Sequence, residues 1–393
     1  MDFAAPAACL QPLKYHHDLV EYLKSAEPEV WAWARSEDAR RQQIAEMRDT
    51  MLRQTYRLEP SAHPGAFEAL RAAMVALEID APATIYQAND GTMNASLCYI
   101  PGEIHLIFYG PVLEKLSERE LLALVGHELA HYKLWSAEQE DFYHSSRILD
   151  NAVSYPEATP SHRETARLLS LHTELYADRG AALAAADVAP AISVLVKVMT
   201  GLSTVDPKAY LRQAEELETS ARTSEGLSHP ETFLRARALD LWWLSDEKLE
   251  DWLEQRLRGP LSIEVLDLLR QRELTKMTRG FLARFLKECP ENQPQILSQI
   301  RRYFPDFRPE DEPLDLVLIS AGKVDDSTRN YLVALMFDCA MADPEARDII
   351  MAAAAKTVRE IGAVDQFKAA LKRDLSWTKT MIDRLMAKSG KAA

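Results

Sequence analysis

Glycine is scarce in this chain, 13 of 393 residues, about half the usual share. Few tight turns are available, and the abundance of Ala, Leu, Glu and Arg argues for a mostly helical protein. Basic charge is also short: 46 Lys and Arg stand against 60 Asp and Glu, a net charge of −14 with no Lys/Arg-rich block. This argues against nucleic acid and anionic membrane surfaces as general partners. The cysteines Cys9, Cys98, Cys289 and Cys339 lie far apart without C-x-x-C spacing, which makes no zinc knuckle and suits a reducing compartment. The first residues carry no basic segment followed by an apolar one, so no signal peptide is visible. The best membrane candidate, residues 180 to 196, contains Asp187 and Pro190 and is flanked by Arg179 and Lys197. It is too short and too polar to span a bilayer. A cytoplasmic protein with no integral membrane segment is the expectation.

What is present is a soluble, globular composition, 47% hydrophobic and 27% charged, long enough for two or three domains. Within it stands Val125-Gly126-His127-Glu128-Leu129-Ala130-His131, an H-E-x-x-H motif. Two histidines four apart share a helix face and can bind one metal ion. Glu128 beside them is placed to take a proton from a metal-activated water. Ser117 and Glu120 form a capping box that opens the helix. The run Leu121-Leu122-Ala123-Leu124-Val125 has the apolar density of a buried helix. Buried ionisable groups without partners cost several kcal/mol each, roughly, and a metal supplies the partner.

Elsewhere the pattern predicts one or two helices over residues 17 to 56, a helix over 66 to 77, a strand over 83 to 87 and a turn at Asn89-Asp90-Gly91. Residues 94 to 99 and 103 to 108, flanking Pro101-Gly102, predict a hairpin. Residues 150 to 160 read as a loop. Helices follow over 162 to 186, 189 to 202, 209 to 217 and 231 to 244, and the tail from 246 is helical with a linker-like stretch at 305 to 313. The fold class is α+β, mainly α with a small sheet, followed by an all-helical C-terminal region.

A catalytic zinc site has three protein ligands and an open position. Metzincin spacing is excluded, because Leu134 and Ala137 stand where Gly and His are required. In Thr173-Glu174-Leu175-Tyr176-Ala177-Asp178-Arg179, Glu174 can bind the metal while Asp178 accepts a hydrogen bond from a ligand imidazole. Glu138, Glu157 and His172 are rival third ligands.

These landmarks, in this order, resemble the family-forty-eight metallopeptidases of the HtpX and CAAX prenyl protease type, a gluzincin family. The resemblance rests on Asn94-Ala95 before an extended segment and Gly110, on Ser117-x-x-Glu120-Leu121 leading into His127-Glu128-x-x-His131, on Glu174-x-x-Ala177-Asp178-Arg179 with Val188-Ala189-Pro190 after it, and on His229-Pro230-x-Thr232-x-x-Arg235. It covers roughly residues 66 to 240. It implies a zinc endopeptidase that holds one Zn²⁺ per chain with His127, His131 and Glu174, uses Glu128 as general base, and has Asp178 behind a ligand. It implies places for His229 and Arg235 near the site. His229 could donate to an oxyanion or act as a fourth ligand that blocks the open position. Arg235 could orient His229 or pair with Glu174 or Asp178. The segment Asn94, Ala95, Ser96, Leu97 and Cys98 looks like the family's edge strand, on which an extended peptide or protein substrate adds as a further strand. Many family members carry transmembrane helices, and this chain shows none.

The domain order expected is an N-terminal helical segment over 1 to 65, a metallopeptidase domain over 66 to 245, a helical connector over 246 to 304 and a helical C-terminal domain over 305 to 393. The last faintly resembles TerB-like helical domains, with Ala342-Asp343 followed by Glu345, and offers a surface for a protein partner. The alternative to an active peptidase is a latent or inactive peptidase-fold regulator or adaptor working through this tail.

Overall fold

The computed structural model describes residues 10–89, 91–217, 223–289, 293–312, 316–319 and 322–389. The N-terminal residues read for a signal peptide, Cys9, Asp90 of the expected turn, and Pro290 and Pro313 lie outside them. The chain divides into two compact units, Met1–Arg258 and Gly259–Ala393.

The first unit opens with three helices, α1 (Lys14–Ala26), α2 (Pro28–Ala34) and α3 (Glu37–Gln54), then strand β1 (Thr55–Arg57) and helix α4 (Pro64–Ala76). Strands β2 (Ala83–Ala88), β3 (Asn94–Ile100) and β4 (Glu103–Tyr109) follow, then a short α5 (Val112–Lys115) and the motif helix α6 (Glu118–Ser136). Helices α7 (Asp141–Ser154), α8 (Pro160–Ala185), α9 (Val188–Thr200), α10 (Pro207–Leu217), α11 (Thr232–Trp243) and α12 (Leu249–Leu253) complete it.

Two expectations need correction here. The helical reading of residues 17 to 56 hid β1, whose three residues are too few to show alternation. The loop expected over 150 to 160 is shortened by α7, which runs to Ser154 because Phe142, Ser145, Ile148 and Leu149 form a buried helical face.

The sheet has the order β1-β2-β4-β3. The expected hairpin is present, β3 pairing antiparallel with β4 from Asn94↔Tyr109 to Ile100↔Glu103, while β2 and β4 are parallel. Side chains alternate across the two faces. On one face Cys98, Ile100, Tyr86 and Ile107 pack with Met51 of α3. On the other, Ala95, Leu97 and Tyr99 of β3 lie opposite Phe108, Leu106 and Ile104 of β4, and Tyr99 meets Tyr132 and Trp135 of α6. The edge strand β3 thus lies directly against the motif helix.

Helix α6 starts at the expected capping box. The Ser117 N–H donates to Glu120 Oε2 at 2.9 Å, and Ser117 Oγ accepts from the Glu120 N–H at 3.4 Å. Its deepest contact is with α8. A Cβ on Gly126 would overlap Ala184 Cβ, and one on Gly180 would overlap Ala130 Cβ. The scarce glycines are therefore spent where these two helices touch backbone to backbone, one residue before His127 and two residues after Asp178. Gly180→Ala should destabilise the first unit by about 1–3 kcal/mol through overpacking, read by chemical denaturation. An unchanged denaturation midpoint would contradict this account of the helix contact.

The second unit consists of α13 (Leu268–Lys287), α14 (Gln293–Tyr303), α15 (Asp326–Met341), α16 (Arg347–Glu360), α17 (Val364–Asp374) and α18 (Lys379–Ser389). Phe281, Phe285, Phe337 and Phe367 sit in its core. Over its described residues, 305 to 312, the expected linker does not behave as one. Phe307 is fully buried in that core, and Arg279 pairs with Asp306 and Glu312 around it. One apolar residue among acidic neighbours gives no periodic signal, which is why the sequence reads as a linker. Among the described residues, no helix is long and apolar enough to cross a membrane.

Candidate metal centre

Helix α6 presents His127 and His131 on one face, and α8 presents Glu174 and Asp178 one turn apart against them. His127 Nε2 lies 3.5 Å from Glu174 Oε2, and His131 Nε2 lies 3.6 Å from Glu174 Oε1. The donor atoms of His127, His131 and Glu174 fall within 4.8 Å of one another. A tetrahedral ion with ligand bonds of about 2.0–2.2 Å holds its ligand atoms roughly 3.3–3.6 Å apart, so the spacing fits a metal.

The remaining contacts fit as well. His127 Nδ1 lies 3.2 Å from Asp178 Oδ1. A proton held there leaves the Nε2 lone pair directed at the space beside Glu174, the tautomer a ligand needs. His131 Nδ1 is buried without a hydrogen-bond partner, and its Nε2 is beyond hydrogen-bond distance of Glu174. Burial pulls its pKa down to about 4, so the ring is neutral and its lone pair is available to a cation. Trp135, one turn on, stacks on this ring with centroids 5.4 Å apart.

Arg235 of α11 closes the back of the site. Its Nε and Nη2 donate to the two Asp178 oxygens at 2.8 and 2.7 Å, and Nη2 lies 3.1 Å from Glu174 Oε2. Burial opposes ionisation of Asp178 and Glu174, but Arg235 and His127 outweigh it and hold both carboxyls below their ordinary range. Burial likewise opposes charge on His127, yet hydrogen bonds to Asp178 and Glu174 raise its pKa to about 10. A metal entering here displaces that proton.

Glu128 is buried, and burial pushes its carboxyl up to about 7, while His127 and a hydrogen bond from the Leu97 backbone pull it down. That hydrogen bond ties the candidate base to β3. Asn94, Ala95, Ser96 and Leu97 line the same cavity of about 660 Å³ as His127, Glu128, His131 and Glu174. Cys98 does not join them; it points to the opposite sheet face, toward the Met51 cluster, as alternation along a strand requires.

His229 is half exposed, with Nε2 3.5 Å from Glu174 Oε1 and Nδ1 2.8 Å from Ser228 Oγ. It borders the cavity but stands outside the close group of His127, His131 and Glu174. The rival ligands lie elsewhere: Glu138 faces His17, Glu157 is exposed, and His172 stacks on Tyr15. Reading the sequence missed the Gly126–Gly180 contact, the Trp135 stack and the Leu97 hydrogen bond. The first has a visible signal in the spacing Gly126-x-x-x-Ala130 and Gly180-x-x-x-Ala184; the other two depend on tertiary placement.

Fold and site together define a mostly helical α+β protein with a His-His-Glu group able to hold a metal ion. No protein-family model matches the chain, and no solved structure matches it. Among curated proteins it is similar to the plastoglobule-localized metallopeptidase 48, chloroplastic, of Arabidopsis thaliana, with 29% identity over 187 residues, 42% of this chain and 53% of that protein. The chain thus spans about half the length of the curated relative it matches. The likeness supports a relationship to the family-forty-eight metallopeptidases, and peptidase-type chemistry at that level.

Proposed function

We propose that the protein is a zinc-dependent endopeptidase of the gluzincin type, with His127, His131 and Glu174 as the ligands of one Zn²⁺. The observation that carries this reading is the close His127, His131 and Glu174 donor group with the buried Glu128 beside it. When bound, the ion supplies Lewis-acid activation of the attacking water and of the scissile carbonyl.

The chain's own residues do the rest. An extended peptide or protein substrate pairs its backbone with the free edge of β3 at Asn94, Ala95, Ser96 and Leu97. Glu128 takes the proton of the attacking water on its carboxylate and returns it to the leaving amine nitrogen. His229, on the open side, donates a hydrogen bond to the carbonyl oxygen as charge develops there. Asp178 fixes the His127 ring, and Arg235 fixes Asp178.

The free thiols of Cys98, Cys289 and Cys339 suit a cytoplasmic setting. The second helical unit is read as a docking module for a protein partner. The test is incubation of the full-length, zinc-loaded chain with an unbiased peptide library, with and without a chelator. Chelator-sensitive cleavage restored by added zinc is expected. Zinc bound at one per chain with no cleavage of any peptide would sink the endopeptidase reading.

A further inference from the structure

The cavity has one wall that the chemistry above does not use. Helix α9 turns Ala191, Val194, Leu195 and Val198 toward it, joined by Leu124 of α6 and Ala181 of α8. The α9 positions follow the three-four spacing of a single helix face, and the wall they make runs for about 10 Å at the helical rise per residue. Every α9 side chain lining the cavity is apolar; the ionisable lining residues are on α6, α7, α8, on α11 and at His229. Leu195 and Val198 are only half buried, so they have apolar surface left to cover.

The wall is held rigidly. On the reverse side of α9, the buried Lys197 donates to Glu120 Oε2 at 2.8 Å and to the Lys115 carbonyl at 3.2 Å. At its start, Asp187 accepts from the Ala189 N–H at 3.1 Å and from Arg119 at 3.2 Å. A preformed apolar recess beside the reacting centre gains by receiving an apolar group and loses by stripping water from a charged one that finds no partner there.

Resting on the endopeptidase reading, we infer that the α9 wall is the specificity pocket and that the enzyme selects peptides with a large apolar side chain, aliphatic or aromatic, next to the scissile bond. Leu195 sets that preference, since it stands mid-wall with surface free to meet the substrate. A small side chain leaves the recess unfilled, and Asp or Glu adds a carboxylate to a site that already holds Glu128, Glu174 and Asp178.

The experiment maps cleavage of an unbiased peptide library by zinc-loaded, full-length wild type, Leu195→Glu and Val198→Glu, each checked for zinc content and helicity. In wild type, Leu, Ile, Met and Phe should be enriched over Asp and Glu at one position flanking the cut by at least about tenfold, since a single methylene in an apolar pocket is already worth roughly 10–200-fold. In Leu195→Glu that preference should fall at least about tenfold, with Lys and Arg rising at the same position. Val198→Glu, one turn further along α9, should shift it the same way if Leu195→Glu does not fold. Cleavage without apolar enrichment, or enrichment unmoved in the folded variants, overturns the inference and leaves the endopeptidase reading standing. Absence of cleavage by every form overturns that reading and the inference with it.

Discussion

Glu128→Gln should lower peptide hydrolysis by about 10²–10⁴-fold or more in kcat, the range lost with a general acid–base group, while the protein stays folded and keeps its metal. The expectation separates chemistry from structure because of where Glu128 sits. It is buried, and burial raises its carboxyl to about 7, so a neutral amide of the same shape removes a group that is costly to ionise. The hydrogen bond from the Leu97 backbone can still be accepted by the amide oxygen. What the amide cannot do is take a proton from water and hand it to a leaving amine. Steady-state kinetics on one cleaved peptide, with zinc content measured in parallel, gives the comparison. A variant that loses zinc along with activity would mean that Glu128 belongs to the ligand set. One that keeps wild-type kcat would mean that another group is the base.

Arg235→Met should cost about 3–5 kcal/mol of stability, the range seen when one partner of a buried ion pair is removed. Arg235 is buried and gives two hydrogen bonds to Asp178 and a third contact to Glu174. Its loss leaves two buried carboxyls facing each other across the helix turn. Adding Asp178→Asn should recover part of the loss, roughly 1–3 kcal/mol, because it removes one uncompensated charge. The measurement is denaturation followed by tryptophan fluorescence in metal-free buffer; Trp377 is the one tryptophan outside the first unit, so the signal reports mainly on the site's own unit. Zinc should stabilise Arg235→Met more than wild type, since the ion then supplies the missing positive charge. A loss under about 1 kcal/mol, the size of an exposed ion pair, would contradict the role given to Arg235.

The motif helix, its capping box, the β3–β4 hairpin and the long helix carrying Glu174 and Asp178 are legible in the sequence because each is specified locally. A cap is read within one turn and an alternation within one strand. The way α6 meets α8 is not local. Gly126 and Gly180 matter only as a pair: the Gly-x-x-x-Ala spacing marks each segment as a close-packing face, but does not say which segment is its partner. The edge position of β3 depends on the strand order β1-β2-β4-β3, in which β1 is too short to announce itself. Residues 180 to 196 show the limit most clearly. Their apolar run reads as a failed membrane span, yet its α9 part, started by Asp187 and pinned by Lys197, forms a wall of the cavity.

The account turns on a metal ion between α6 and α8. The most direct test is elemental analysis of zinc in the purified full-length chain and in Glu174→Ala and His131→Ala, after equilibration at a fixed free zinc concentration. The account predicts one zinc per wild-type chain and a loss of binding in both variants, with helicity retained. Stoichiometric zinc that persists in both folded variants, or none in wild type, would contradict it.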